Sequence, residues 1–188
     1  MDIRTTVHAG ESALGLVDEL VQLRRLAEPG RVPGQGGAAW PGGGTWAAGL
    51  AEAARVPGFL AVTARADSLL CGFGTAVRTP DPYAGEPLLG DGRAQEWLAG
   101  AVRVTELVVA PVARGHGVAR RILATLTVPA LDDRVWAAPD HRDARALAFF
   151  RHQGWRQTVF PRPGDGPSAV VFLGPAHPSL AGRPVMGC

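Results

Sequence analysis

One stretch near the middle of the chain limits what the rest can fold into: Arg103-Val-Thr-Glu-Leu-Val-Val-Ala-Pro-Val-Ala-Arg-Gly-His-Gly-Val-Ala-Arg-Arg121. Val102, Val104, Leu107, Val108 and Val109 are β-branched or apolar, which predicts a strand, and Pro111 stops it. Gly115 and Gly117 then crowd a short turn, after which Val118, Ile122 and Leu126 recur at helical spacing. Strand, glycine turn and helix aim successive backbone N–H groups and the positive end of a helix dipole at one point, which attracts phosphate. Glycine suits such a turn because it accepts positive φ and lets a pyrophosphate approach the backbone closely.

Two familiar phosphate motifs fit poorly. A P-loop requires Gly-Lys-Ser/Thr after its glycines, and the chain has no lysine. A dinucleotide fingerprint starting at Gly115 and Gly117 would meet Arg120 at its third glycine, and it would stand late in the chain where it normally stands early.

Composition narrows the setting. At 188 residues, 46% hydrophobic and 19% charged, the chain suits one globular domain, taken as 1–188. No apolar run approaches the ~18–20 residues of a membrane span, and the N-terminus lacks a signal peptide's apolar core, so a cytoplasmic location is expected. Cys71 and Cys188 are too few for a disulfide framework, and Cys71 reads as a small core residue. All 19 basic residues are arginines, scattered along the chain, and the net charge of +2 argues against a nucleic-acid partner.

Arg114-Gly-His-Gly-Val-Ala119, preceded by Val109-Ala-Pro111, resembles the coenzyme A signature of the GNAT acyltransferase superfamily, Arg/Gln-x-x-Gly-x-Gly/Ala after a strand ending in Val-x-Pro. A second block, Asp143-Ala-Arg-Ala-Leu-Ala-Phe-Phe-Arg-His-Gln-Gly-Trp155, is similar to that family's Asn-x-x-Ala-x-x-Phe-Tyr-x-x-x-Gly-Phe. The two blocks stand in the family's order and spacing. The resemblance implies an α/β fold of GNAT type: a central mixed, largely antiparallel sheet flanked by helices, with two splayed parallel strands, here 102–109 and 134–138, holding the cofactor. It implies an acyltransferase that moves an acetyl or other short acyl group from coenzyme A to an amine by direct attack in a ternary complex. Acetyl-CoA or another acyl-CoA is then the co-substrate, no metal is needed, and the acceptor is an amine of a small molecule or peptide. A homodimer stays open.

The resemblance also assigns residues. The backbone of Leu107, Val108 and Val109 would pair with pantetheine like an added strand, and Arg114, Gly115, His116, Gly117, Val118 and Ala119 would cradle the pyrophosphate. His116 would contribute its backbone N–H. Asp143 stands where the family has Asn; it is carried over as a cofactor position, and it equally suits the N-cap of a helix. Phe150 takes the place of the Tyr that protonates the departing thiolate in many members. His152 and Tyr83 are other donors, although nothing places them at the site. The chemistry asks for a proton acceptor, because freeing an alkyl ammonium of pKa ~10.4 costs about 4–5 kcal/mol at pH 7. Glu106, a charge inside an apolar strand, is the candidate base; the other readings are that it pairs with an arginine such as Arg103 or faces solvent. The Phe150 substitution keeps open an alternative, a non-catalytic acyl-CoA-binding or regulatory protein.

Elsewhere, 3–7 reads as a short strand, and Ser12 as the cap of a helix to about Ala27 with Leu14, Val17, Leu20, Val21 and either Leu23 or Leu26 buried. Residues 29–44 are expected to be a mobile loop, followed by a helix over 45–55. Two strands, 59–65 and 68–78, form a hairpin turning at Ala66-Asp67. Residues 79–98 read as an excursion, in which Tyr83 and Trp97 either touch an acceptor or pack onto the body. A helix over 141–153 ends at Gly154 in the C′ position, with Trp155 on Phe150. Strands at 157–160 and 169–173 complete the sheet, and the tail from 174 to 188 is expected to be loose.

Overall fold

The hairpin over 59–78 carries the most strongly apolar sequence, and it supplies two strands, β2 Leu60–Ala66 and β3 Leu69–Arg78. The computed structural model describes residues 2–27, 46–80, 96–130, 132–160 and 169–181. They form two compact units, one from Met1–Arg78 with Arg103–Pro129, the other from Thr79–Val102 with Ala130–Cys188. The expected loop at 29–44, residues 81–95 of the expected excursion over 79–98, with Tyr83, and residues 182–188 lie outside the described residues, whereas 96–98 are helical.

In the first unit β1, Arg4–His8, pairs antiparallel with β2, and β2 antiparallel with β3, with a bulge between Ala64 and Arg65. The hairpin turns at Asp67 and Ser68, one residue later than expected, and Asp67 takes the left-handed conformation (φ 53°). Aspartate accepts that conformation more readily than most residues. The strand β4, Val102–Val109, lies beside β3. Thr75 meets Thr105, and the Ala110 N–H donates to the Cys71 carbonyl at 2.9 Å; one strand rises as the other falls, so the pair is antiparallel.

Helix α4, Val118–Thr127, covers this sheet with a stripe of Val118, Ile122, Leu123 and Leu126, all buried. Gly72 and Gly74 of β3 make the approach close. A Cβ at Gly74 would stand 2.7 Å from Ile122 Cγ2 and 2.8 Å from Leu126 Cδ1. The expected helix over 12–27 is two helices, α1 Glu11–Leu14, with Gly15 as its C-cap, and α2 Val17–Ala27. Gly10 (φ 55°) occupies the N-cap, and the Ser12 hydroxyl turns back to Ala9. Leu20, Leu23 and Ala27 are the buried face of α2, while Leu26 is 70% exposed. Helix α3, Trp46–Ala53, follows in the place expected.

In the second unit β5 Val135–Ala137, β7 Ala169–Leu173 and β6 Arg156–Phe160 pair antiparallel in that spatial order. Leu98, Ala101, Trp136, Val171 and Leu173 form its core, and Trp97 packs against them. Helix α5, Ala144–His152, is shorter than the 141–153 expected, since Asp143 caps it by accepting the Ala146 N–H at 2.9 Å. It ends as expected: Gly154 is left-handed (φ 78°), the Trp155 N–H returns to the Phe150 carbonyl at 3.0 Å, and their rings lie 5.0 Å apart.

The loose tail is corrected for its first eight residues. Gly174 donates to the Val135 carbonyl, a 3-10 turn spans Pro178–Leu180, and Leu180 packs on the core of the unit. His177 anchors the turn, with Nε2 on the Trp97 carbonyl at 3.1 Å and Nδ1 accepting from Ser179.

Candidate active site

The turn at 114–117 follows a 3-10 segment, Pro111–Ala113, that breaks off β4. Gly115 and Gly117 have φ of 80° and 74°, and a Cβ at either would meet nothing within 4 Å. Their requirement is conformational and leaves open space around the backbone. Gly117 is the N-cap of α4 and brings no side-chain cap. Among the described residues, the N–H groups of Gly115, His116, Gly117, Val118 and Ala119 donate to no backbone carbonyl or side chain. Helix starts normally recruit an acceptor for such donors. Here a set of donors stands at the positive end of a ten-residue helix with no acidic residue in its first turn.

Two side chains of the motif brace the turn from below. Arg114 donates to the Ala27 carbonyl at 2.8 Å and to the Val109 carbonyl at 3.3 Å, joining the end of α2 to the turn. His116 lies 2.9 Å from the Arg114 carbonyl through Nδ1, and since a carbonyl only accepts, Nδ1 carries the proton. Val118 is buried under the turn and Ala119 is half-buried. On β4, Val108 is buried while Leu107 and Val109 are half-buried.

Glu106 is enclosed, its side chain 10% exposed. Trp46, the first residue of α3, donates its indole N–H to Glu106 Oε1 at 3.0 Å. Arg24 of α2 stands with Nε 3.7 Å from Oε2, is itself 13% exposed, and lays its guanidinium 4.9 Å over the Trp46 ring. Trp46 in turn packs on Phe73 of β3 at 5.9 Å between ring centres. Sequence reasoning took Glu106 as the candidate base and gave pairing with an arginine such as Arg103 as another reading; it did not single out Arg24. The signal was present: Arg24 falls four residues after Leu20 and three before Ala27, so helical spacing turns a charge toward the buried face of α2.

Asp143 and Phe150 belong to the second unit. The Asp143 carboxylate is engaged as the α5 cap. The Phe150 ring is buried among Phe149, Trp155 and Phe172, with centroids 5.5, 5.0 and 5.4 Å away. His152 is exposed in the last turn of α5. Among the described residues no three His, Cys, Asp or Glu side chains gather as a metal-binding group, and no helix is long and apolar enough to cross a membrane.

No protein-family model matches the chain, and no curated protein matches it. Solved structures do. Arabidopsis thaliana NAA60 in complex with acetyl-CoA is 15% identical, covering 91% of this chain and 97% of its own, with a TM-score of 0.58. A ribosomal-protein-alanine N-acetyltransferase from Brucella melitensis is 18% identical over 92% and 96%, with a TM-score of 0.54. AAC(6')-Iy, in complex with the bisubstrate analogue CoA-S-monomethyl-acetylneamine, is 15% identical over 87% and 99%, with a TM-score of 0.56. The chain therefore has the fold of the GNAT acetyltransferases, a mixed α/β architecture with largely antiparallel strand pairing.

Proposed function

We propose that this protein is a GNAT-type N-acetyltransferase that moves an acetyl or other short acyl group from coenzyme A to an amine. One observation carries the reading: the N–H groups of residues 115–119, two of them on left-handed glycines, stand uncapped at the head of α4. That is an anion site built from main chain, suited to a diphosphate. The solved structures of like fold include complexes with acetyl-CoA and with a coenzyme A bisubstrate analogue, which supports the choice of diphosphate.

On this reading the backbone of Leu107, Val108 and Val109 lies along pantetheine, and residues 114–119 hold the pyrophosphate. Arg114 acts by fixing the turn. Asp143 and Phe150, carried over as cofactor positions from the resemblance, are seen within their own unit as a helix cap and a member of an aromatic core. Glu106 accepts the ammonium proton, directly or through water, so that the free amine attacks the thioester carbonyl; the C–S bond breaks, and the proton that the nitrogen sheds as the amide forms goes to the departing thiolate or to solvent. A thiolate of pKa ~8.5 leaves without much help, which suits a chain with Phe at the family's tyrosine position. The similar structures name a ribosomal-protein alanine in one case and carry an acetylneamine joined to coenzyme A in another, which supports an amine of a peptide or small molecule as the acceptor class here. A cytoplasmic location is part of the same proposal, and the small net charge of +2 argues against a nucleic-acid partner.

Calorimetry with coenzyme A tests the cradle. Gly117→Asp sets a negative charge beside the phosphates and is expected to weaken binding at least tenfold, or about 1.4 kcal/mol; no heat from the native protein would overturn the reading. Glu106→Gln tests the chemistry. Thiol release from acetyl-CoA across an amine panel should fall by about 10²-fold or more while coenzyme A binding stays. The alternative, a binding protein without turnover, is favoured by the burial of Phe150 in an aromatic core with no hydroxyl to offer. It wins if native protein binds coenzyme A and no amine raises thiol release above the blank.

A further inference from the structure

We infer that Arg24 and Trp46 are positioning residues that keep the enclosed Glu106 carboxylate ionised and fix its orientation. This rests on the reading of Glu106 as the proton acceptor.

An enclosed carboxylate has two problems as a base. Burial favours its neutral form, which accepts nothing, and a free torsion spreads its oxygens over many directions. Both are answered by groups from two helices. The Trp46 indole N–H takes one oxygen at 3.0 Å, and the Arg24 guanidinium stands by the other at 3.7 Å. Arg24 itself lies over the Trp46 ring, 4.9 Å from its centre. Its Nε is buried and forms no hydrogen bond, so the cation is held near Oε2 as a charge rather than as a tight bidentate clamp.

The described elements around Glu106 carry further charged groups. Glu19 of α2 pairs with Arg65, while Arg25 of α2, Glu52 of α3 and Arg120 and Arg121 of α4 are exposed. Arg103 lies three residues back on the same strand and is half-buried. Phe73 and the Thr75–Thr105 pair are what β3 brings to this neighbourhood, and they are uncharged.

The test titrates the Glu106 carboxyl carbon by NMR in the full chain, with Glu106→Gln used to assign the signal, and needs no knowledge of the acceptor. Arg24→Gln should move the midpoint up by about one unit, the low end of what an opposite charge at this range does. Trp46→Phe keeps the ring under Arg24 and removes the N–H, and should move it up by a smaller amount; Arg24→Lys should restore most of the native midpoint. The acid limb of thiol release against pH should move with the carbon signal. If the midpoint stays within about 0.2 unit in Trp46→Phe and in Arg24→Gln, the inference is overturned. Should Arg24→Gln fail to fold, Trp46→Phe and Arg24→Lys decide. If the signal moves as expected but Glu106→Gln keeps full thiol release, it is the base reading of Glu106 that fails.

Discussion

His177 is 1% exposed, and both ring nitrogens are committed. Nδ1 accepts from the Ser179 N–H, so the single proton sits on Nε2 and points at the Trp97 carbonyl. A second proton would have to take the lone pair already used by Ser179. Burial is the foremost cause that lowers its pKa, opposed by the Trp97 carbonyl and Asp132 and assisted by Arg134. His8 is lowered too, by burial first and then Arg65, against Glu19. The sign follows. Above the unfolded value of about 6.5 both states are neutral and this stability is fully present. As pH falls through 6.5 the unfolded chain takes up protons that the folded chain refuses. Stability then declines by up to about 1.4 kcal/mol per pH unit per histidine, until the folded form is protonated as well. Urea unfolding at several pH values from 7.5 to 5.5 should show a shallower loss in His177→Gln than in the native protein. Equal slopes would mean that His177 is not the residue responsible.

Among the elements, the pairing of β3 with α4 shows how a sequence weakness becomes a structural requirement. Gly72 and Gly74 lower the strand propensity of an otherwise apolar run, and glycine inside a strand often marks a close approach. Here the approach is that of Val118, Ile122 and Leu126. Gly74→Ala would place a methyl group 2.7 Å from Ile122 Cγ2 and 3.1 Å from the Glu106 carbonyl, so side chain and backbone both have to give. The expected cost is about 1–3 kcal/mol, read as a lower urea midpoint with an unchanged slope. A neutral result would mean that α4 can ride outward on the sheet without loss. The caps behaved unequally. Asp143 and Gly154 were legible because their side-chain and conformational preferences act within a few residues. Ser12 misled, since a serine one residue inside a glycine-led start has the Ala9 backbone within reach and bonds to that.

Over the whole molecule, the strands β1 to β7 and the helices α3 to α5 fall within a few residues of where periodicity put them, and the fold matches solved GNAT acetyltransferases at 15–18% identity. The strand, the glycine turn and the amphipathic helix over 102–127 were readable from sequence because each depends on short-range rules: β-branched side chains, positive φ and a 3.6-residue repeat. Sequence alone therefore determined that a donor-rich turn would precede a helix here, and that Glu106 would be a charge embedded in apolar strand. Tertiary structure decided which groups answer that charge. Arg24 and Trp46 are distant from Glu106 in sequence, and no local preference joins them; the packing of two helices beside a strand does. It also decided that the Arg114 guanidinium would reach the Ala27 carbonyl, and that His177 would close the end of the second unit. Long-range pairings of this kind arise because a buried charge or donor must find a partner wherever the folded chain supplies one.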